Sequence, residues 1–532
     1  MSLEVRNSVA MRLVGNLFTG LCLLLWAPNT GLTAGKARHV LVLVWDGMRP
    51  DFVSETTTPN LWKLATEGVR FQNHHPVYVS STEVNGTALA TGVDPERSGI
   101  IANKEFRPNL DAFNPIFTAD AVTVRRADEL TGNHFLQVPT LAETLQGFGL
   151  RTAVAGAKPV ALLQDRQAGS KTNLGVDLFE GKVMPEALWP ELKTAVGRFP
   201  RTYWTNRKRD RWTTQALLGP LWAKGVPAFS LLWLSEPDTS QHKKGPGSKR
   251  ALKCIKSCDD NLARVLEALD QKGIRGETDI IVVSDHGFSS ISARVNVEAL
   301  LNSNGFRAGR KYATNAAPAG QILVVGNGGS VLLYVPNHEQ ALIERVVHWL
   351  QSQPFAGVIL TRTPVEGTFP LESVKIQSTN APDIVVSLRW RPDLNRRGVP
   401  GLLYADATSY SSGKGMHASL SRFDMHNICI AAGPDFRKGF EDHLPTGNVD
   451  IVPTILWILG VEPKEQLSGR VLAEALAQTN VAAPSSQSHR LEATYHGTNF
   501  VWQQYLNFSE VNGVIYLQEG NGQQVTQPTA NK

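Results

Sequence analysis

Residues 38–46 read Arg-His-Val-Leu-Val-Leu-Val-Trp-Asp, a nearly continuous apolar run that ends in an acidic residue. Such a run is typical of a strand that is covered on both faces, as in a parallel sheet. The same form recurs at 228–234, which leads into Ser-Glu-Pro-Asp238, and at 279–283, which leads into Ser-Asp285-His286. The sequence therefore predicts three buried strands, each with an acidic residue at its carboxyl end.

Helical patterns lie between these strands, at 59–67, 139–146 and 251–269. Pro59 opens the first of them, at a position where a missing N–H costs nothing. This alternation of strands and helices predicts an α/β fold with a doubly wound, mostly parallel sheet. In such a fold, ligands bind beyond the carboxyl ends of the strands.

The chain divides into segments of different character. Residues 1–34 carry Arg6 and Arg12, a short apolar run and then small residues, which is the order of a secretory signal peptide. We expect a catalytic domain over 35–475. A smaller subdomain is inserted in it at about 289–415, where short strands and Gly-rich turns break the rhythm. Residues 476–532 form a C-terminal extension with a possible hairpin around Gly520, Asn521 and Gly522.

Composition narrows the function classes. The 532 residues include 42% hydrophobic and 19% charged residues, as in a globular enzyme. The net charge of +5 is small for this length and no basic block occurs, so no nucleic-acid partner is inferred. The leader predicts export to the periplasm or the extracellular space, and its apolar run is too short to leave a stable membrane span. The sequence does not indicate an oligomeric state.

Seven residues that can bind metal or phosphate fall just after predicted strands or in loops. Carboxylates and imidazoles in this ratio suit two divalent ions, zinc above all. The seven are Asp46, Thr82, Asp238, His242, Asp285, His286 and His417.

Each of these residues also has an ordinary structural interpretation. An Asp at a strand end often caps a helix, and a lone His is often a hydrogen-bonded core or surface residue. Thr82 follows a β-prone run and precedes a helix-compatible stretch, so its hydroxyl is placed to meet a phosphate at a helix amino terminus. From local sequence alone, Ser81 or Thr82 is equally a helix N-cap.

The order of these motifs resembles the type I phosphodiesterase/nucleotide pyrophosphatase branch of the alkaline phosphatase superfamily. The resemblance covers residues 40–417. It is carried by Trp45-Asp46-Gly47-Met48-Arg49, Thr82-Glu83-Val84-Asn85, Ala90-Thr91-Gly92, Pro95, Gly99-Ile100, Ser235-Glu236-Pro237-Asp238 with His242, Ser284-Asp285-His286-Gly287 and Gly415-Met416-His417.

The resemblance implies a role for each motif residue. Asp46, Asp285, His286 and the Thr82 hydroxyl would hold one zinc ion. Asp238, His242 and His417 would hold the other. Thr82 would be the nucleophile that takes the phosphoryl group, and Asn103 would donate an amide N–H to a phosphate oxygen.

Departures from the family pattern bear on the substrate, which we expect to be a small phosphorylated compound. Relatives often carry Phe-Pro after the nucleophile, but Glu83 and Val84 stand here, which puts nucleotide-base stacking in doubt. Ala418 follows His417 where a Gly is common. Monoesterases often place a Lys and an Arg two apart, whereas here Lys158 is followed by Val160. Lys158 is a candidate substrate-binding residue. An equally good interpretation is that it is a solvated loop residue without a role in binding.

These features predict a metal-dependent hydrolase of phosphodiester or pyrophosphate bonds that acts through a phosphothreonine intermediate. An alkaline phosphomonoesterase or phosphonate hydrolase on the same fold is the alternative within this chemistry. The alternative of another class is an inactive, exported binding protein, which would need none of the seven residues.

Overall fold

The computed structural model describes residues 35–170, 172–201, 205–313, 319–478, 482 and 484–526. The predicted signal peptide, residues 1–34, lies outside the described residues. Twenty-four strands and twelve α-helices are found in the described part of the chain.

The strands, in chain order, are β1 (His39–Trp45), β2 (Val69–His75), β3 (Lys104–Glu105), β4 (Ile116–Phe117), β5 (Thr152–Gly156), β6 (Gly175–Phe179), β7 (Lys182–Met184), β8 (Phe229–Leu234), β9 (Thr278–Val283), β10 (Ser289–Val295), β11 (Arg307–Gly309), β12 (Gln321–Asn327), β13 (Ser330–Tyr334), β14 (Ala356–Thr361), β15 (Phe369–Pro370), β16 (Ile384–Leu388), β17 (Trp390–Leu394), β18 (Pro400–Asp406), β19 (Gly415–Met416), β20 (Cys429–Ala432), β21 (Phe440–Gly447), β22 (Ser486–His496), β23 (Phe500–Val511) and β24 (Val514–Thr526).

The α-helices are α1 (Pro59–Glu67), α2 (Thr82–Thr91), α3 (Pro95–Ser98), α4 (Ala121–Thr131), α5 (Leu141–Gly147), α6 (Trp189–Val196), α7 (Arg207–Leu218), α8 (Asp238–Lys244), α9 (Lys249–Gln271), α10 (Val297–Ser303), α11 (Gln340–Gln351) and α12 (Ile451–Ile458). Among the described residues, no helix is long and apolar enough to cross a membrane.

The central sheet has nine strands in the order β21-β2-β20-β9-β1-β8-β5-β6-β7. The five strands β9, β1, β8, β5 and β6 run parallel to one another. β7 adds to one side antiparallel to β6, and β20 adds to the other side antiparallel to β9. The prediction of an α/β fold with a mostly parallel sheet is confirmed.

Both faces of the sheet are covered, which explains the unbroken apolar run of β1. Alternate side chains of a strand point to opposite faces. Leu41, Leu43 and Trp45 pack in one cluster and Val40, Val42 and Val44 in the other. The first cluster includes Leu61, Leu64, Ala216, Ile255 and Leu262 from α1, α7 and α9; the second includes Val84, Leu89, Leu145, Val452 and Ile455 from α2, α5 and α12.

The predicted helices form, with small shifts at their ends. The helix expected at 139–146 begins at Leu141, because the Thr140 side chain caps it and Glu143 returns the bond in a capping box. The helix expected at 251–269 extends over Lys249–Gln271, since Ser248 caps its first turn.

Two smaller sheets come from the part of the chain that follows β9. A six-stranded sheet, β11-β12-β13-β16-β14-β15, uses residues 307–388. A four-stranded sheet, β17-β18-β10-β19, ends at Met416, directly before His417. The chain then re-enters the central sheet at β20. This course leads the chain back to the carboxyl ends of the central strands.

The C-terminal hairpin does not turn where the sequence analysis placed it. Gly520, Asn521 and Gly522 lie inside β24, and the turn joins β23 to β24 at Asn512 and Gly513. Both of those residues have positive φ, 51° and 81°, as in the two-residue turns that favour Asn-Gly. A side chain at Gly522 would collide with the carbonyl of Gly357 in the neighbouring sheet, so glycine serves close packing there.

Candidate active site

The sheet order brings the predicted acidic residues together. β1 lies between β8 and β9, and all three strands run in the same direction. Asp46 follows β1, Asp238 begins α8 just after β8, and Asp285 follows β9. His242 lies one helical turn beyond Asp238, so both side chains lie on the same side of α8. These side chains consequently meet at one edge of the sheet.

Asp238, His242 and His417 form the first cluster. One potential ligand atom from each lies within 4.8 Å of the others. Asp238 Oδ1 is 3.0 Å from His242 Nε2 and 3.6 Å from His417 Nε2. This is the grouping that the family resemblance implies.

The second cluster differs from the implied grouping in one residue. Asp46, Asp238 and His286 place their ligand atoms within 4.8 Å of one another, so Asp238 takes part in both clusters. Asp285, expected in this cluster, does not belong to that triplet. Its Oδ2 nevertheless lies 3.3 Å from His286 Nε2, and His286 Nε2 lies 3.9 Å from Asp46 Oδ1.

Each of the three aspartates at the site has one buried carboxylate oxygen to which no hydrogen bond is donated: Asp46 Oδ1, Asp238 Oδ1 and Asp285 Oδ2. The other oxygen of each carboxylate is bonded. Asp46 Oδ2 accepts from Trp233 Nε1 at 2.8 Å, and Asp285 Oδ1 accepts from Gly47 N–H at 2.9 Å. Because a buried, unpaired anion is costly, these three oxygens fit the coordination of cations.

The three imidazoles are also oriented so that they can coordinate cations. Nδ1 of His242, His286 and His417 bonds the carbonyls of Gly415, Gly287 and Ser80, at 3.1, 2.8 and 3.0 Å. A carbonyl can only accept, so each Nδ1 carries the proton and each Nε2 lone pair is left for a ligand bond. Burial lowers the pKa of His286 and His417, and their neutral forms are the ones that bind metals.

Thr82 is the first residue of α2, and Ser81 is the N-cap. The Thr82 hydroxyl lies 3.3 Å from His286 Nε2 and 3.4 Å from Lys158 Nζ. Ser81 makes no capping bond with its side chain. Of the two residues expected as possible N-caps, Ser81 takes that position; Thr82 is not the cap, because it is the first residue of the helix, and its hydroxyl faces the cluster of metal-type ligands.

Lys158 lies at the centre of the site. Its Nζ is 2.9 Å from Asp46 Oδ2 and 3.0 Å from Asp238 Oδ2. Burial would lower the pKa of Lys158, but Asp238 and Asp46 raise it well above its usual value, so it is charged. The solvated-loop alternative for Lys158 is wrong. Val160, two residues on, is buried instead in the core beside Gly86.

Asn103 lies beside the nucleophile turn. Its Oδ1 accepts from the Glu83 N–H at 3.0 Å, which fixes the orientation of the amide. The NH₂ group is thereby kept as a donor. Glu83 itself carries a buried oxygen without a partner, and burial raises the pKa of its carboxyl while Lys158 lowers it.

Sequence reasoning missed several residues of the site. The sequence predicts Trp233 only as part of a buried strand, but its indole N–H donates to Asp46. Phe288 packs edge-on against His242 and Tyr410 stacks on the same ring, at 4.9 and 5.3 Å between ring centroids. No motif points to these aromatic residues. Their position follows only from the tertiary fold.

The sequence of the chain is similar to that of a known protein family. The family model described as type I phosphodiesterase / nucleotide pyrophosphatase matches residues 40–390. Bis(5'-adenosyl)-triphosphatase of Mus musculus is 23% identical over 454 residues, which are 83% of this chain and 82% of that protein. Venom phosphodiesterase 2 of Crotalus adamanteus is 27% identical over 270 residues, 49% of this chain but 28% of that protein.

The fold is also similar to a solved structure. Murine ectonucleotide pyrophosphatase / phosphodiesterase 5, in an inactive form in complex with AMP, aligns with a TM-score of 0.56 and 17% identity. The alignment covers 82% of this chain and all of that one. Since the family model covers most of the chain, the protein belongs to the type I phosphodiesterase/nucleotide pyrophosphatase family, hydrolases that act on phosphoric ester or anhydride bonds.

Proposed function

We propose that the protein hydrolyses phosphodiester or pyrophosphate bonds with Thr82 as the nucleophile. The observation that supports this most is the setting of the Thr82 hydroxyl. It lies at the amino end of α2, within 3.4 Å of Lys158 Nζ, and next to the two Asp/His clusters. The helix end favours the negative charge of a phosphoryl group.

The donor set suits two divalent cations, which we propose to be zinc. Three carboxylates and three imidazoles converge, with the three unpartnered oxygens described above. Two such cations would lower the pKa of the Thr82 hydroxyl and offset the charge of the phosphoryl oxygens. We assign Asp46, Asp285, His286 and Thr82 to one cation and Asp238, His242 and His417 to the other.

The chain's own residues would then carry the reaction in two steps. Thr82 Oγ1 attacks phosphorus, and the bond from phosphorus to the leaving oxygen breaks on the opposite side, which gives a phosphothreonine. The oxygen of a water molecule then bonds to phosphorus as the bond between phosphorus and Thr82 Oγ1 breaks, and a proton from that water restores the hydroxyl. Lys158 and the Asn103 NH₂ group would donate to the non-bridging oxygens and hold the phosphoryl group in line.

Charge around Thr82 favours a monoanionic phosphodiester over a dianionic monoester. Among the described residues, Lys158 is the cationic side chain that contacts the Thr82 hydroxyl. Val160 is apolar and buried, so it cannot supply the second cation that monoesterases use. Glu83 adds a carboxyl next to the nucleophile. With a single cationic side chain beside Thr82 in the described part of the chain and none at Val160, the additional negative charge of a monoester is less well balanced than the single charge of a diester.

Nucleotide-containing diesters and pyrophosphates are the first natural substrates to test. A similar mouse protein is named as a bis(5'-adenosyl)-triphosphatase, and a neighbour in fold holds AMP. We also infer export, from the charged start, apolar run and small residues of positions 1–34.

The nucleophile assignment is tested by Thr82→Ala, assayed with bis(p-nitrophenyl) phosphate on zinc-loaded protein. We expect turnover to vanish while zinc content stays near two per chain, because six other ligands remain. Thr87→Ala is the matched control: it removes a buried hydroxyl of the same helix, which donates to the Glu83 carbonyl at 2.8 Å. Unchanged turnover in Thr82→Ala would show that Thr82 is not the nucleophile.

The choice of substrate is tested by the ratio of kcat/KM for the diester to that for p-nitrophenyl phosphate. We expect the diester to be favoured. A ratio below one would instead support the phosphomonoesterase alternative.

A further inference from the structure

The side-chain amide of Asn448 is buried beneath the candidate active site, and it makes four hydrogen bonds to four different residues. Its Nδ2 donates to the carbonyl of Asp285 and to Asn85 Oδ1, both at 3.0 Å. Its Oδ1 accepts from His74 Nε2 at 3.0 Å and from Asn427 Nδ2 at 3.2 Å. An amide has two N–H donors and two acceptor lone pairs, so its capacity is filled.

The orientation of this amide is determined by its partners. The carbonyl of Asp285 can only accept, so the group that faces it is NH₂ and the opposite atom is the oxygen. His74 Nε2 must then carry a proton. Burial lowers the pKa of His74 to about 3, which keeps the ring neutral, and its Nδ1 meets Thr446 Oγ1 at 2.9 Å. The whole network therefore has a single consistent arrangement of protons.

On one side the network reaches the nucleophile turn. Asn85 lies in the first turn of α2, and its Nδ2 donates to the carbonyls of Val77 and Ser81, at 3.0 and 3.3 Å. Its Oδ1 accepts from the Val77 N–H at 2.8 Å as well as from Asn448. Asn85 thus holds the segment that leads into Thr82, and Asn448 holds Asn85.

On the other side the network reaches the acidic loop after β9. Asn448 binds the main chain of Asp285, directly before His286. Its neighbour Asn427 donates to the carbonyl of Ser284, the residue before Asp285. Asn448 and Asn427 lie 163 and 143 residues further along the chain than the residues they bond, yet both hold the main chain that carries two candidate metal ligands.

We propose that Asn448 is a positioning residue that sets the distance between the Thr82 hydroxyl and the metal ligands Asp285 and His286. This rests on the function proposed above. Asn448 touches no reacting atom. It acts through Asn85 on the nucleophile turn and through the Asp285 carbonyl on the ligand loop. A buried amide with all four hydrogen bonds made, such as Asn448, makes one arrangement rigid, and loosening it displaces groups that must be held within fractions of an ångström.

The test is Asn448→Leu, which has nearly the same shape and removes all four hydrogen bonds. With bis(p-nitrophenyl) phosphate and saturating zinc, we expect kcat to fall about 10- to 100-fold while KM changes less than about 3-fold. The zinc dissociation constant, measured by chelator competition without any turnover, should rise in the same variant, because Asp285 and His286 are less well placed. Asn448→Ser is the milder variant if Asn448→Leu does not fold.

Two comparisons separate positioning from general loss of stability. Leu269→Ala removes a buried side chain of α9 from the cluster on the opposite face of the sheet, and it should lose thermal stability yet keep kcat and zinc affinity. Asn85→Leu removes the hydrogen bond between Asn85 and Asn448 from its other end. The double variant Asn85→Leu/Asn448→Leu should therefore have a kcat only slightly lower than that of either single variant.

The proposal is overturned if kcat and zinc affinity of Asn448→Leu stay within about 3-fold of wild type. It is also overturned if Leu269→Ala lowers kcat and zinc affinity as much as Asn448→Leu does. Wild-type protein without turnover would instead contradict the proposed function, and the zinc measurement would still test the positioning role.

Discussion

Replacement of Trp233 by Phe isolates one hydrogen bond at the candidate active site. Trp233 lies in β8 and its side chain is fully buried. Its Nε1 donates to Asp46 Oδ2 at 2.8 Å, an oxygen that also meets Lys158 Nζ at 2.9 Å. Phe keeps an aromatic ring in the core and removes this donor, so Asp46 keeps Lys158 as its remaining anchor.

The size of the effect follows from the type of bond. A hydrogen bond to a charged group contributes about 1.5–3 kcal/mol. Lys158 still holds the same oxygen, so we take the lower end of that range. Since about 1.4 kcal/mol corresponds to a factor of ten in an equilibrium constant, we expect the zinc dissociation constant to rise about tenfold. kcat at saturating zinc should fall by a similar factor, because Asp46 is less well oriented.

Trp222→Phe is the matched control. Trp222 is equally buried, and its Nε1 donates to Ser230 Oγ at 3.0 Å, away from the ligand clusters. Both substitutions remove one indole N–H and part of one ring, so both should cost similar thermal stability. Chelator competition gives the zinc affinity, and hydrolysis of bis(p-nitrophenyl) phosphate gives kcat. Equal zinc affinity and equal kcat in the two variants would refute a role for Trp233 in orienting Asp46.

Two further predictions concern other acidic residues. Asp238→Ala should lose bound zinc, because its carboxylate belongs to both clusters; retention of both ions by metal analysis would show that Asp238 is no ligand. Asp177 is buried and neither of its oxygens has a partner; burial first, then Asp165, raises its pKa well above the usual value. The native state therefore keeps a proton that the unfolded state releases above about pH 4, so stability falls as pH rises from there. Asp177→Asn should remove this loss, so its stability relative to wild type should increase as pH rises above about 4. If the difference in unfolding free energy between Asp177→Asn and wild type does not change with pH, the prediction for Asp177 is wrong.

The sequence was sufficient for the strands that carry the site. The unbroken apolar runs of β1, β8 and β9 reflect burial on both faces, a requirement that acts on each residue separately and can be read along the chain. Asp46, Asp238 and Asp285 closely follow these runs. Parallel strands end at the same edge of a sheet, so their convergence was predictable without coordinates.

Local sequence could not decide the role of the C-terminal glycines. Gly520 and Gly522 resemble a turn, but a side chain at Gly520 would meet Leu506 of β23, and one at Gly522 would collide with the main chain of another sheet. That contact joins residues more than 150 positions apart, such as Gly357 and Gly522, and no local pattern records it. The real turn, at Asn512 and Gly513, had a local signal because its positive φ angles are a property of those two residues.

The sequence by itself determined the fold class, because burial and strand order leave a record in consecutive residues. The family resemblance of its motifs implied the ligand residues and Thr82 as the candidate nucleophile. The tertiary structure alone decided which oxygen of each carboxylate is left without a partner, and that Lys158 reaches Asp46, Asp238 and Thr82. It also brought Trp233 to Asp46 and Asn448 to Asp285. These contacts depend on distances between segments that are far apart in the chain, and such distances are set only when the core packs.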